Sequence, residues 1–360
     1  MKHWQETARI LERVAALWRA GKDAAVATVV HIAGSAYRRP GARMLVEPDG
    51  LMLGGVSGGC LEADVREVAL TVLKQGAPRL LHYDTGEDDQ VVWGLGLGCN
   101  GTTEILVQPL TSEADRETVE TLRELLEGEA PFVVSTIVAG ACGAGRTLVT
   151  RPGGGIIGSS GDAALDRAVA RAASEQMALQ ETIFHELRGA RVFTEVFVPP
   201  PHLVICGAGD DAMPLAALAA GIGFRITVVD HRAAYLTAER FPAARLHQAR
   251  PEDGSAGLPA GPNTYVLIKM HSLAHDRAWL QSFLATEAAY VGVLGPRART
   301  DKMVTDLGAG KLERVFGPVG LDLGAEGPDQ VALSIVAELL AVRSGRAPRH
   351  LRERGVPIHT

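Results

Sequence analysis

The sequence predicts an α/β protein in two parts: an N-terminal α/β domain with a degenerate internal repeat, then a Rossmann-like, doubly wound parallel-sheet domain. Three observations predict it. The chain has 360 residues, more than one hydrophobic core usually organises. A pattern of glycines and short apolar runs near Gly41 returns after roughly one hundred residues. Beyond the stiff linker Pro199-Pro200-Pro201, short apolar strands alternate with helices, as in a parallel sheet.

The elements follow in order. Ile10, Leu11, Val14, Leu17 and Trp18 share one face of a helix predicted over residues 5–20, with Gly21 as its stop. A strand is predicted over 24–32, then the loop Ala33 to Gly41. Arg43–Val46 and Leu51–Leu53 read as a hairpin turned by Pro48-Asp49-Gly50. Gly54-Gly55-Val56-Ser57-Gly58-Gly59 leads into a helix predicted from Cys60 to Gln75. Strands are expected over 79–83 and 104–109, the second preceded by the glycine cluster Gly94 to Gly101.

The second half of this domain repeats the first. Gly41 to Gly50 aligns with Ala144 to Gly153, which sets Arg43 opposite Arg146. Gly55-Val56-Ser57-Gly58 then falls opposite Gly158-Ser159-Ser160-Gly161. The second copy lacks the Gly59-Cys60 step, so a shared scaffold explains the glycines and not the cysteine. Past the linker, strands are predicted at 202–206, 225–230, 265–270 and 289–294, with helices at 211–221 and 328–343. The last helix is punctuated by Gly327-Pro328-Asp329 and Gly345. The expected domains are 1–198 and 199–345, with a tail at 346–360.

Charge and composition exclude several classes. A formal net charge of −6 argues against nucleic acid as a partner. No apolar run approaches the roughly 20 residues that span a bilayer, so no membrane association is expected. Polar residues stand in Met1-Lys2-His3-Trp4-Gln5-Glu6, where a secretory signal would be apolar. Cys60, Cys99, Cys142 and Cys206 are scattered, without zinc or disulfide spacing. A reduced, cytoplasmic protein is the expectation.

Several stretches carry chemistry. Gly207-Ala208-Gly209 sits between a strand and a helix, and Asp230 ends the next strand. Those glycines let backbone approach a pyrophosphate, and Asp230 could bond ribose hydroxyls. Asp210 and Asp211 put two negative charges where phosphates would lie, so a Rossmann fold with an altered ligand fits as well. His271 follows a strand at the ligand-binding edge of the sheet, with Asp276 after it as a helix cap or a functional acid. Arg297 is either a phosphate contact or a surface residue. In Ser57-Gly58-Gly59-Cys60-Leu61-Glu62, a thiol at a helix start feels the positive end of the dipole, which favours the thiolate. A small buried cysteine at a tight turn satisfies the same pattern. Arg38, Arg39 and Arg43 surround a Pro-Gly turn, suited to phosphate or carboxylate or to solvent. The loop Gly94 to Gly101, with Cys99, is a further backbone-exposing turn.

Taken together, Gly34-Ser35-Ala36-Tyr37-Arg38-Arg39-Pro40-Gly41-Ala42-Arg43 and Gly55-Val56-Ser57-Gly58-Gly59-Cys60-Leu61-Glu62 resemble the XdhC/CoxI family, the xanthine dehydrogenase accessory proteins. Val204 to Gly209, Val228 to Arg232, Tyr290 to Arg297, Pro318 to Ala325 and Ala332 to Glu338 resemble that family's later motifs. The resemblance implies a chaperone, more than an enzyme, for the molybdenum cofactor, as molybdopterin or its dinucleotide form. Such a chaperone supports sulfuration by a cysteine desulfurase and insertion into a xanthine dehydrogenase-type molybdoenzyme. It implies a cofactor loop of Ser35, Arg38, Arg39, Arg43, Ser57, Gly58, Gly59, Cys60 and Glu62, with Cys60 contacting molybdenum or transferred sulfur. A nucleotide is expected at Gly207, Gly209, Asp230, His271 and Arg297, and a homodimer by analogy. Two other readings remain: an NAD(P)-dependent oxidoreductase using the Rossmann fingerprint, and a cofactor-free docking scaffold. The chain departs from the family pattern at Asp210-Asp211, at Met270-His271-Ser272-Leu273 and at Pro296.

Overall fold

A computed structural model describes residues 2–34, 37–84, 101–308 and 313–355. The chain divides into two compact units, Met1–Pro199 and Pro200–Thr360.

The first unit contains the same arrangement twice. Helix α1 (Lys2–Arg19) precedes β1 (Ala24–Gly34), β2 (Arg43–Val46) and β3 (Met52–Gly54). Helix α2 (Glu62–Gln75), β4 (Arg79–Asp84) and β5 (Gly101–Leu110) follow. Helix α3 (Glu113–Glu127) then precedes β6 (Phe132–Ala139), β7 (Thr147–Thr150) and β8 (Ile156–Ile157). Helix α4 (Ala163–Leu179), β9 (Ile183–Leu187) and β10 (Ala190–Phe197) complete that copy. The antiparallel sheets have matching orders, β3-β2-β1-β5-β4 and β8-β7-β6-β10-β9.

The repeat is present, but one residue out of step with the sequence alignment. Gly41 N donates to Val29 O and Val29 N to Ala42 O; Gly145 N donates to Ile137 O and Ile137 N to Arg146 O. Gly41 therefore matches Gly145, and Arg43 matches Thr147 rather than Arg146. Likewise Gly54, not Gly55, matches Gly158. Both have φ of +88°, and a Cβ would strike Arg43 O in the first copy or Thr147 O in the second. A glycine-rich pattern fits two offsets, whereas a strand register does not, because a slip of one residue turns each side chain to the other face.

The two copies share a core. Irregularities in β1 and β6 fall at Val30 and Val138, which pack with Leu106 and Phe193 in one buried cluster. The apolar stripe of α1, Ile10, Leu11, Val14 and Leu17, joins Val119, Leu122 and Leu126 of α3. This is the burial its helical spacing predicts, and each such side chain contributes about 1.5–3 kcal/mol. Trp4 Nε1 ties the helices by donating to Leu126 O at 3.1 Å.

The second unit is a parallel sheet. Its elements are β11 (His202–Cys206), α5 (Ala212–Gly221), β12 (Arg225–Asp230), β13 (Ala244–Gln248) and β14 (Thr264–Ile268). Then come α6 (Leu273–Leu284), β15 (Tyr290–Val293), α7 (Arg297–Asp306), β16 (Val315–Phe316) and α8 (Gly327–Ser344). The order β13-β12-β11-β14-β15-β16 places the topological switch between β11 and β14, where ligands of such sheets bind. Trp279 and Phe283 of α6 fill the core below Val204, Cys206, Val266 and Val291. Among the described residues, no helix is long and apolar enough to cross a membrane.

Candidate functional site

Helix α2 begins at Glu62, two residues later than predicted, so Cys60 stands in the loop before it. The turn is set by Gly59, with φ of +116° and open space where a Cβ would be. Cys60 is exposed, not buried. Its thiol donates to Ser57 Oγ at 3.5 Å, and the same oxygen accepts from Gly59 N and Leu61 N, both at 3.1 Å. Ser57 Oγ in turn donates to Glu62 Oε2. Glu62 Oε1 accepts from Val56 N at 3.1 Å and Ser57 N at 2.8 Å. Burial is the largest influence on Glu62 and raises its pKa, but the Ser57 and Val56 donors together hold it below the usual carboxylate range. Gly58 lies against the Tyr37 ring, which a Cβ there would meet at 3.5 Å.

The second copy repeats the device without the thiol. Asp166 Oδ1 accepts from Ser160 N at 2.8 Å, and Ser159 Oγ donates to Asp166 Oδ2 at 2.7 Å. There Asp162 caps α4, accepting from Ala164 N and Leu165 N. The position before α2 is Leu61, with no side-chain cap. The first copy alone thus combines an exposed thiol with a helix start that has no side-chain cap and carries Glu62 and Asp64 in its first turn.

The arginines are placed differently from the sequence expectation. Arg38 is committed to Glu6, at 2.5 Å and 2.6 Å from its two oxygens. Arg43 reaches Glu195 Oε1 at 3.1 Å, Thr7 Oγ1 at 3.2 Å and Gly41 O at 2.8 Å. Burial most strongly raises the Glu195 pKa, yet Arg43 and His3 together hold it below the usual range. Arg39 is exposed. Ser35, Cys99 and the run 94–100 lie outside the described residues.

At the sheet switch, Gly207 has φ of +120°, and a Cβ there would meet Lys269 O at 2.6 Å. Asp230, 0% exposed, accepts from Ala208 N at 2.8 Å and Arg232 N at 2.9 Å. The Arg232 guanidinium grips both its oxygens, at 3.0 Å and 2.9 Å. Burial is again the largest influence and acts upward, but Arg232 and the backbone donors bring Asp230 down to about 2. The carboxylate expected on ribose is therefore turned inward and saturated. Asp210 pairs with Arg240 at 2.8 Å. Asp211 takes the buried Lys269 Nζ at 2.5 Å and lies 3.4 Å from His271 Nε2. The two acidic charges at the helix start are thus neutralised by cations that lie far from them in sequence. Gly209 lies beside them, its Cβ position 2.8 Å from Asp211 Oδ1. His271 has φ of +57°. Arg297 is exposed at the first position of α7, away from that cluster in sequence and element. Asp276 accepts from Met270 N at 2.9 Å and pairs with Arg299, while Ser272 caps α6 by accepting from His275 N, so Asp276 is not the expected cap.

Glu6, Glu195, Arg232 and Lys269 were not singled out by sequence. Lys269 had a signal, a charge closing the buried strand Tyr265-Val266-Leu267-Ile268. Glu195 had none, lying 152 residues from Arg43. Among the described residues, no group of three or more His, Cys, Asp or Glu side chains could hold a metal ion.

Comparisons with known proteins point one way. Residues 17–84 match the XdhC and CoxI family, and residues 203–339 match the XdhC Rossmann domain. A probable xanthine dehydrogenase subunit of Bacillus subtilis (strain 168) is 33% identical over 329 residues, spanning 89% of this chain and 94% of that protein. The molybdenum cofactor insertion chaperone PaoD of Escherichia coli (strain K12) is 27% identical, over 90% and 84%. A crystal structure of a xanthine dehydrogenase from Bacillus halodurans superposes with a TM-score of 0.80 at 29% identity, covering 95% of this chain and 97% of that one.

Proposed function

Because the chain belongs to the XdhC and CoxI family, we propose that it is an accessory protein that holds the molybdenum cofactor as cargo for a xanthine dehydrogenase-type molybdoenzyme. The observation that carries this reading is the exposed Cys60 on the Ser57–Glu62 loop beside an uncapped helix start. A thiol there is a soft contact for molybdenum or for sulfur, while Glu62 and Asp64 supply the negative charge at the start of α2. Ser57 orients the thiol, while Glu62 keeps the loop closed by accepting three donors. Arg38 and Arg43 are held in ion pairs, and Arg39 is exposed on the same turn.

In this reading residues 1–198 handle the cofactor and residues 199–345 form the Rossmann domain, with 346–360 as a tail. A cysteine desulfurase supplies sulfur to the Cys60 loop, and the protein works in the cytoplasm as a homodimer. The Rossmann domain by itself would take a nucleotide, whose phosphates meet the Gly207–Gly209 turn and His271, since Asp230 is saturated. The test is activity of a partner molybdoenzyme expressed with this chain, with Cys60→Ala, or with neither. Activity restored only by the unaltered chain is expected. Equal restoration by Cys60→Ala would overturn the role of the thiol and favour a docking scaffold.

A further inference from the structure

Gly207 and Lys269 directly follow β11 and β14, the two strands that flank the sheet switch. Their main chains touch there, since a Cβ on Gly207 would meet Lys269 O at 2.6 Å. The Lys269 side chain is 3% exposed, and its ammonium lies 3.9 Å from the place of a Cβ on Gly209. Lysines are seldom so enclosed, because burial penalises the charged form. That penalty is the largest influence on Lys269 and holds its pKa below the usual lysine value, although Asp211, Asp230 and Asp276 act upward.

The ammonium is satisfied in part. It has three N–H groups to donate. Among the described residues it forms one hydrogen bond, to Asp211 Oδ1 at 2.5 Å. The nearby acids are committed elsewhere, Asp230 to Ala208 N and Arg232, Asp276 to Met270 N and Arg299. Two N–H groups of a buried charge therefore lack a partner beside the turn where such sheets receive ligands, which is costly unless a ligand completes them.

Asp211 is an unusual partner. It stands at the start of α5, yet its side chain caps no amide of that helix. Its oxygens are divided instead between Lys269 and His271, whose Nε2 lies 3.4 Å from Oδ2. The carboxylate is 29% exposed against 3% for Lys269, and His271 is 64% exposed, so the group that covers the ammonium is itself open to solvent. The chain thus sets its own anion on the buried cation of the cleft.

We propose that Lys269 is the phosphate-binding residue of this domain, and that Asp211 occupies its ammonium until the diphosphate of a nucleotide displaces it. The inference rests on the reading that the Rossmann domain takes a nucleotide. Displacing Asp211 frees Lys269 and His271 together and gives the ammonium more acceptor oxygens than one carboxylate oxygen supplies. Asp210 needs no such move, because Arg240 already neutralises it. The acidic residues at the turn then lower the affinity for phosphate without abolishing it.

The test is calorimetric titration of the full chain with ADP and with inorganic pyrophosphate, adenosine being the phosphate-free control. Asp211→Asn should bind ADP and pyrophosphate at least about tenfold more tightly than the unaltered chain, since a like charge leaves the phosphate site. Its affinity for adenosine should stay the same. Adding Lys269→Met should cancel the gain, and that double variant leaves no buried charge unpaired, so it should melt near the unaltered chain. Equal affinities in Asp211→Asn and the unaltered chain, a gain that extends to adenosine, or tenfold tighter binding by the double variant would overturn this inference and leave the nucleotide reading standing. Binding of neither ADP nor pyrophosphate by any of these chains at millimolar concentration would overturn both.

Discussion

Arg43 and Glu195 meet across the two copies of the repeat: the guanidinium comes from β2 and the carboxylate from β10, 152 residues away. Glu195 is 3% exposed and Arg43 12%. Gln108 stands in the corresponding place opposite Gly145, so one copy is locked by an ion pair where the other is spanned by an amide. An arginine that looks in sequence like a ligand contact is spent on holding the repeat together.

Removing Arg43 strands a buried carboxylate. Arg43→Ala is expected to cost about 3–5 kcal/mol, and Arg43→Met combined with Glu195→Met to recover most of it. Denaturant unfolding measures both. A loss below about 1 kcal/mol for Arg43→Ala would show that the pair does not hold the copies together.

Thiol accessibility differs sharply along the chain. Cys60 is exposed, whereas Cys206 is 0% exposed and burial, aided by Asp276, pushes its thiol well up. Alkylation followed by peptide mapping should mark Cys60 in the native protein and Cys206 only on unfolding. Native labelling of Cys206 at the rate of Cys60 would contradict the fold around β11.

Glycines at the ends of β3 and β8 are required by contact as well as by conformation. Gly54→Ala or Gly158→Ala would press a Cβ onto a backbone oxygen, and each should lower stability by about 3 kcal/mol or more. Gly153, with φ of +85° and nothing within 4 Å, is the control, and its alanine should cost only about 1–2 kcal/mol. Equal melting temperatures for Gly54→Ala and Gly153→Ala would be the contrary result.

Asp230 gives a pH signature. Its pKa in the fold is about 2, below the ordinary value of about 3.9, so the unfolded chain binds its proton first as pH falls. The stability it contributes is fully present above about pH 4 and is lost as pH falls through about 2. The stability gap between the unaltered chain and Asp230→Asn should therefore shrink on acidification from about pH 5 to about pH 2. A gap constant over that range would mean that Arg232 does not grip the carboxylate.

Local pattern made much of the fold legible. The helical spacing of Ile10, Leu11, Val14 and Leu17, the Pro48-Asp49-Gly50 turn and the strand–helix alternation after His202 each determine an element through near neighbours. The offset of the repeat was not legible, because glycines and apolar runs tolerate a shift that backbone hydrogen bonds forbid. Strand β13, Ala244–Gln248, carries no apolar run and is recruited by its parallel pairing with β12. At the candidate site, the glycines around Cys60 could be read directly. The partners of Arg38, Arg43 and Asp211 could not, since opposite charges distant in sequence leave no local mark.

A role for Cys60 in holding cofactor cargo is tested most directly by the pterin content of the chain purified from a host that makes the molybdenum cofactor, read by oxidation to the fluorescent pterin derivative. The unaltered protein should carry pterin, and Cys60→Ala should carry far less while melting at the same temperature. Pterin absent from both, or present equally in both, would contradict that role.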